Sequence, residues 1–458
     1  TMTPLIPLAL LILTSYLIYH HVISPYFLSP LSSIPNAHFT SPLSSYWIDR
    51  KRSTATEVLT IYALHQKHGP VVRLGPKELS VNSLHGLRII YTGAFEKHAF
   101  YNDVFVNFNT ENLVGMVHNA PHAHQKRMLS KIYSKSFLQE SSDLRTISKV
   151  VLWERLMPIL KKAGEGGEVL NVLPLFQAVG MDFTSSFLFG LRQGTRYLFN
   201  IPEWKIWLEE YERFKYLSRD HRYMGFIERW CLELCERIET SKKQDVFRDE
   251  EKLPATNPVV YDQLHQSLLS QKEYDPRPLN LAIASELLDH LVAGHETSGI
   301  TFTYMMWELS QRPELQAELR KELRTLSPSL RYPDTDGEKP LPPASAVDAL
   351  PLLDATIRET LRLHSPAPAQ LPRVTPSTEK GTSFHGYDNI PGGVKVSSTA
   401  YSLHRISEVY PGPLEWLPRR WLEPGEKVHD MRRLFWPFGS GGRMCLGSNF
   451  AIQGMSPS

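Results

Sequence analysis

Phe438-Gly439-Ser440-Gly441-Gly442-Arg443-Met444-Cys445-Leu446-Gly447 is the stretch that decides how this 458-residue chain is read. One cysteine stands among glycines at 439, 441, 442 and 447. Glycine admits positive φ and lets backbone approach a ligand closely. Backbone N–H groups in such a turn can point at the sulfur and favour its thiolate. Arg443 can bind an anionic group beside a metal, and Phe438 can pack over the loop. Cys445 is therefore a candidate nucleophile or a single thiolate ligand to iron. Other readings of the glycines fail on spacing. GxGxxG needs glycine where Met444 stands, and GxSxG needs it where Phe438 stands. A glycine-rich turn around one buried thiol remains as the purely structural reading.

The segment resembles the haem-binding loop FxxGxRxCxG of cytochromes P450 at all five defining positions, Phe438, Gly441, Arg443, Cys445 and Gly447. The resemblance implies that Cys445 is the axial thiolate ligand of the iron in haem b, a donor that favours O–O cleavage. Independent segments agree with it. Glu359-Thr-Leu-Arg362 puts a carboxylate and a guanidinium one helical turn apart, a pattern that alone is usually a solvated ion pair. It is similar to the family's ExxR helix. Trp416–Trp421 resembles the segment whose arginine, here Arg420, completes a buried structural triad with Glu359 and Arg362. Arg419 stands where the family usually has Glu.

Ala293-Gly294-His295-Glu296-Thr297-Ser298 resembles the family's oxygen-activation motif. Glycine weakens a helix and a threonine hydroxyl can take a backbone carbonyl or water, so a local kink is expected there. The resemblance implies that Thr297 hydrogen-bonds bound dioxygen and that Glu296 delivers protons through water. A zinc-protease HExxH reading fails because Gly299 replaces the second His. For the haem propionates, His122 and Lys126 match the family's third-helix pair. Lys126 replaces the usual Arg and forgoes its bidentate fork. Arg373, in Leu371-Pro372-Arg373, is similar to another propionate-binding arginine. His404-Arg405 resembles the family's HR, with Ile406-Ser407 replacing the usual Asp-Pro.

Composition narrows the alternatives. The 50 basic and 48 acidic residues nearly cancel, which removes the electrostatic footprint of a nucleic-acid binder. Three cysteines exclude a disulfide framework and an all-cysteine zinc site, and suit a reducing compartment. Cys231 and Cys235 lie four apart on an expected helix and read as buried thiols.

The first charged residue is Asp49. Residues 1–28 are therefore expected to be a transmembrane anchor, with Leu8–Tyr19 its most apolar part. Neither a basic n-region nor a small-residue cleavage site marks a signal peptide. Residues 29–45, rich in proline, are expected to form a stiff hinge. Arg50-Lys51-Arg52 then leaves the bulk of the chain cytosolic by the positive-inside rule. Beyond the hinge, 46–458 is expected to be one catalytic domain. Val71–Leu74 and Leu79–Val81, joined through Gly75-Pro76, read as a β-hairpin. Helical patterns dominate from Phe137, over Glu203–Thr240, after Pro278, after Pro313 and over Val347–His364. Ser327–Ser345 reads as a loop. After Cys445 only 13 residues follow, so the resemblance implies a C-terminally truncated member whose haem retention needs testing.

The expected fold is mainly α with a small β region, a P450 fold preceded by an N-terminal transmembrane helix. The expected function is that of a haem-thiolate monooxygenase. It would take electrons from NADPH through cytochrome P450 reductase at the endoplasmic reticulum membrane, and act on a hydrophobic small molecule. Lys126-Arg127-Met-Leu-Ser looks most like fungal secondary-metabolism members. Pocket residues are expected from Phe105–Gly115, the region before Ala293, and Ser365–Leu371. An isomerase or dehydratase of the same family, and a truncated non-catalytic membrane protein, stay open. A cysteine hydrolase would need a His paired with Cys445.

Overall fold

The computed structural model describes residues 5–216, 221–244, 254, 256–270, 277–332 and 341–455. Helices dominate and strands are few and short, as expected. The chain gathers into two compact units. Unit 1 takes residues 1–100, 367–415 and 425–444, and unit 2 takes 101–366, 416–424 and 445–458.

Unit 1 begins with α1 (Leu5–Ile18), which continues as a π-helical stretch over Tyr19–Leu28. The apolar run Ile6–Leu28 spans 23 residues with none of it buried, long enough to cross a bilayer's hydrocarbon. After α2 (Tyr46–Ser53) and α3 (Glu57–His68) come β1 (Val71–Gly75) and β2 (Glu78–Val81), antiparallel with Val72 opposite Ser80. This is the expected hairpin. Later strands are β3 (Arg373–Val374), β4 (Thr382–Phe384), β5 (Tyr387–Ile390) and β6 (Lys395–Ser397). β6 runs parallel to β2 and completes a sheet in the order β1-β2-β6-β3, while β4 and β5 pair separately. Ile48, Ile61, Val72 and Leu74 fill the space between helices and sheet.

The hinge docks onto this sheet. Ala37 N–H donates to Arg73 O at 2.9 Å and Arg73 N–H donates to Pro35 O at 2.8 Å. The buried Arg73 guanidinium donates to carbonyls of Pro25 at 3.1 Å and Pro76 at 3.0 Å. A run of prolines cannot donate along a ladder, but its carbonyls can accept.

His65 is buried between Gly69 O and Ser80 Oγ, each 2.8 Å from a ring nitrogen. Burial is the main cause that lowers its pKa to about 4. A depressed histidine favours the neutral fold, so its contribution is complete above pH 6.5 and is lost as pH falls toward 4. We expect unit 1 to lose on the order of 3 kcal/mol over that window. Urea titrations at pH 7 and 4 should show this loss reduced in His65→Gln; an unchanged pH dependence would refute it.

Unit 2 is built from α4 (Asn119–Ser130), α5 (Val172–Phe189), α6 (Ile201–Tyr216), α7 (His221–Gln244), α8 (Leu279–Ser310), α9 (Pro313–Leu323), α10 (Pro351–Leu363) and α11 (Ser448–Met455). The expected helical stretch from Glu203 is thus two helices, with 217–220 outside the described residues. α5 is also apolar enough to cross a membrane, but it is 83% buried and is a core helix. Cys231 and Cys235 are buried on α7, with Cys231 Sγ 3.6 Å from Ala284 O. In the expected loop, Ala344–Asp348 forms a short helix, and 333–340 lie outside the described residues.

α5 and α8 cross at very close range. A Cβ on Gly294 would lie 2.3 Å from Thr184 Oγ1 and 3.0 Å from Thr184 Cβ, and one on Gly180 would lie 2.9 Å from His295 Cα. α8 is helical without interruption from Leu279 to Ser310, through the position where a kink is expected. Gly294 removes a side chain where two helices touch. Alanine there overpacks the contact by about 1–3 kcal/mol, more than its helix propensity returns. Gly294→Ala should therefore destabilise the chain, and Thr184→Ala in the same molecule should restore most of the loss. Strict additivity of the two changes in urea titrations would refute the contact as the cause.

Candidate functional site

Sequence spacing places His122 and Lys126 on one face of α4, Ala293 to Thr297 at the centre of α8, and Glu359 and Arg362 at the end of α10. All of these, with Arg420, Cys445 and Gly447, belong to unit 2. Phe438, Gly441, Arg443 and Arg373 belong to unit 1.

Cys231 and Cys235 are buried, but the Cys445 side chain is accessible. Its thiol pKa is nevertheless raised, with burial the largest cause. Both hold for a thiol in a recess, reachable by a ligand yet crowded by protein. A backbone hydrogen bond from Gly447 and the charge of Lys126 act in the other direction and favour the thiolate, while Asp289 opposes it. α11 begins three residues later and carries Phe450 into the core, its ring 4.8 Å from Phe187 and 5.2 Å from Phe183.

In unit 1 the glycines ahead of the cysteine have separate duties. Gly439 and Gly441 both have positive φ, at 70° and 69°. A Cβ on Gly441 would lie 2.2 Å from Tyr91 O, so the loop is pressed onto that backbone. A Cβ on Gly442 would meet nothing within 4 Å. Trp436 Nε1 donates to Ser440 Oγ at 2.9 Å, and its ring lies 4.6 Å from Tyr91. Arg373 is 5.0 Å above the Tyr91 ring and donates to Pro372 O at 3.0 Å. Tyr91 thus joins Arg373 to the cysteine loop, a link that no local motif announces. His404 Nε2 accepts from Trp436 N–H at 2.8 Å, which ties the His404-Arg405 segment to the same loop.

On α8, Ala293 is exposed although it sits midway along a largely buried helix. Thr297, one turn on, donates from Oγ1 to Ala293 O at 2.6 Å. The expected use of a carbonyl by this hydroxyl is therefore present. Glu296 points to another helix, where Tyr211 OH on α6 donates to its Oε2 at 2.7 Å. Burial first, and then the Glu296 charge, raise the Tyr211 pKa, so the phenol keeps its proton. His295 is buried against the same helix, 5.0 Å from Trp207 and 4.9 Å from Tyr211. Among the described residues no group of three or more His, Cys, Asp or Glu could hold a metal ion.

Glu359 and Arg362 have fully buried side chains. Arg362 donates from Nε to Glu359 Oε2 at 2.9 Å and from Nη2 to Oε1 at 2.8 Å. Arg420 Nε donates to Oε1 at 3.1 Å, as the resemblance implies. Two further donors were not visible in sequence. Trp421 Nε1 reaches Oε2 at 2.9 Å and Leu417 N–H reaches Oε1 at 2.8 Å. Arg419 pairs with Glu318 at the surface instead.

The pocket segment Phe105–Gly115 is pinned to α8. Ser285 Oγ donates to Thr110 O at 3.1 Å, and Leu113 N–H donates to Glu286 Oε2 at 3.0 Å. Phe108 and Asn109 both hold positive φ there.

The donor chemistry fits a haem. A single soft sulfur is accessible, a cation favours its ionised form, and glycine leaves open space beside it. Comparison with known proteins agrees. The family model for cytochrome P450 matches residues 42–456. The cytochrome P450 monooxygenase avaI of Aspergillus versicolor is 28% identical over 407 residues, covering 85% of this chain and 93% of that protein. The cytochrome P450 monooxygenase orf2 of Aspergillus niger is 25% identical over 454 residues, covering 93% and 84%. The cytochrome P450 monooxygenase ucsK of an Acremonium species is 24% identical over 460 residues, covering 92% and 84%.

Proposed function

The chain belongs to the cytochrome P450 family, and from that we propose that Cys445 holds a haem b with which the protein hydroxylates or otherwise mono-oxygenates a hydrophobic small molecule in fungal secondary metabolism. The family's cofactor is haem, and its electrons come from a partner reductase. Bound haem supplies the activation of dioxygen, one atom entering the substrate and the other leaving as water.

The remaining roles belong to this chain's own groups. Cys445 supplies the axial thiolate, with Phe438, Gly441, Arg443 and Gly447 shaping and neutralising its surroundings. His122, Lys126 and Arg373 are assigned to the propionates, and the Lys126 charge beside Cys445 supports that assignment. Thr297 holds a proton at Oγ1 on the accessible turn that begins at Ala293. Glu296 Oε2, restrained by Tyr211, is the carboxylate that passes protons inward. Glu359, Arg362 and Arg420 brace the fold rather than touch the reaction.

Residues 1–28 are proposed as a single-pass anchor in the endoplasmic reticulum, 29–45 as the hinge and 46–458 as the cytosolic catalytic part. The unburied run Ile6–Leu28 supports this, as do Arg50, Lys51 and Arg52 just beyond it. The electron donor is proposed to be NADPH-cytochrome P450 reductase in the same membrane.

The observation that carries the reading is the accessible Cys445 within a complete cysteine loop. The test is the absorption spectrum of the expressed chain after reduction under carbon monoxide. A red-shifted Soret band of thiolate type is expected, and bound haem without that shift, or no bound haem, would overturn the reading.

A further inference from the structure

Glu286, His290 and Tyr133 in unit 2 follow one another at contact distance, and the oxygen chemistry above leaves them unused. Glu286 is 0% exposed on α8. Its Oε2 accepts from Leu113 N–H at 3.0 Å and from Gln125 Nε2 at 3.3 Å. Its Oε1 has no hydrogen bond among the described residues, and stands 3.4 Å from His290 Nε2 one turn further on. The other ring nitrogen, Nδ1, lies 2.9 Å from the hydroxyl of Tyr133. The 2.9 Å contact at Nδ1 is served when Tyr133 O–H donates to it and the ring proton sits on Nε2, the nitrogen nearer Glu286.

Tyr133 is walled by rings, 5.8 Å from Phe187, 5.5 Å from His290 and 6.1 Å from Phe450, all edge-on. Its carbonyl accepts from Asn449 Nδ2 at 3.1 Å, four residues beyond Cys445. Burial raises its pKa well above the usual phenol value, and the charges of Glu286, Cys445 and Asp289 add to this. Cys445 is thus near enough for its charge to be felt at the phenol.

A carboxylate orienting an imidazole whose second nitrogen meets a hydroxyl is the arrangement that draws a proton from that hydroxyl. Packed among rings, this phenol has little room to attack a substrate. It can, however, be oxidised, and loss of an electron makes a phenol O–H strongly acidic. We propose that Tyr133 is a redox-active tyrosine that gives one electron to the haem held by Cys445, while His290 takes its proton. The inference rests on haem ligation by Cys445. A peroxide, its O–O bond cleaved and its oxygens reduced to the level of water, would first take the haem two electrons beyond the ferric state; one electron would then pass from Tyr133 to that oxidised centre, leaving it one electron above ferric. The phenol O–H bond breaks, and its proton binds His290 Nδ1. A neutral phenoxyl radical and an imidazolium paired with Glu286 remain. Such a step discharges an oxidised centre when no substrate consumes it.

The test is rapid-freeze EPR of the haem-loaded full chain mixed with hydrogen peroxide. A phenoxyl signal is expected in the parent chain, narrowed when the protein is grown on ring-deuterated tyrosine. Tyr133→Phe should lower it at least tenfold and His290→Gln severalfold, with the thiolate-type carbon monoxide band kept in both. A signal unchanged in Tyr133→Phe, or unaffected by the deuterated label, overturns the proposal. So does a parent chain that gives the thiolate-type band and no radical, and that outcome leaves the haem reading standing. A chain that binds no haem overturns both.

Discussion

Glu359→Ala is expected to abolish the native fold of unit 2. The carboxylate is fully buried and gathers the guanidinium of Arg362, Nε of Arg420, the Trp421 indole and the Leu417 amide. Removing it takes a buried carboxylate away from two buried cations and from two neutral donors. Breaking one buried ion pair by deleting a partner costs about 3–5 kcal/mol, and unmet neutral donors add about 1–3 kcal/mol each. Together these rival the whole stability of an ordinary domain, about 5–15 kcal/mol. The measurement is soluble yield and urea unfolding followed by tryptophan fluorescence. Glu359→Gln keeps an acceptor but not the charge, so it should be intermediate. A Glu359→Ala protein as stable as the parent would show that the network is ornamental.

Cys445→Ser should eliminate the thiolate-type spectrum while leaving the fold in place. The side chain is accessible, whereas Cys231 and Cys235 are buried in the core. Serine is nearly isosteric, so the stability change is expected to be about 1 kcal/mol, the centre of the range for single substitutions. The loss of the only accessible thiol removes the soft donor outright. Cys231→Ser is the control, because it buries a hydroxyl and should cost stability without moving the band. A red-shifted band that survives in Cys445→Ser would mean that another residue ligates the iron.

Both experiments use residues that short-range sequence patterns single out. The cysteine loop, the Glu359–Arg362 spacing, the Ala293–Thr297 turn and the apolar run at the N-terminus are all short-range patterns. Covalent geometry alone puts residues three or four apart on one helix face, and puts Gly441 and Gly447 within a turn of Cys445. Short-range spacing also carried the hairpin from Val71 to Val81. Gly294 has a second duty that short-range spacing could not show. Its missing side chain answers a neighbour on α5, 110 residues earlier at Thr184.

What the chain order could not express are contacts chosen by packing. Tyr211 meets Glu296 from 85 positions away, Tyr133 meets His290 from 157, and Trp421 meets Glu359 from 62. Tyr91 becomes the seat of both Arg373 and Gly441 only once the sheet has formed. In each case many tyrosines or tryptophans were available, and no local spacing distinguishes the one that is used. Periodicity and motif therefore specify the chemistry this chain carries and the elements that carry it. Which side chain from a distant helix restrains, seals or supplies each of those groups depends on how α5, α6 and α8 close-pack, since a buried polar atom must find its partner within that particular packing.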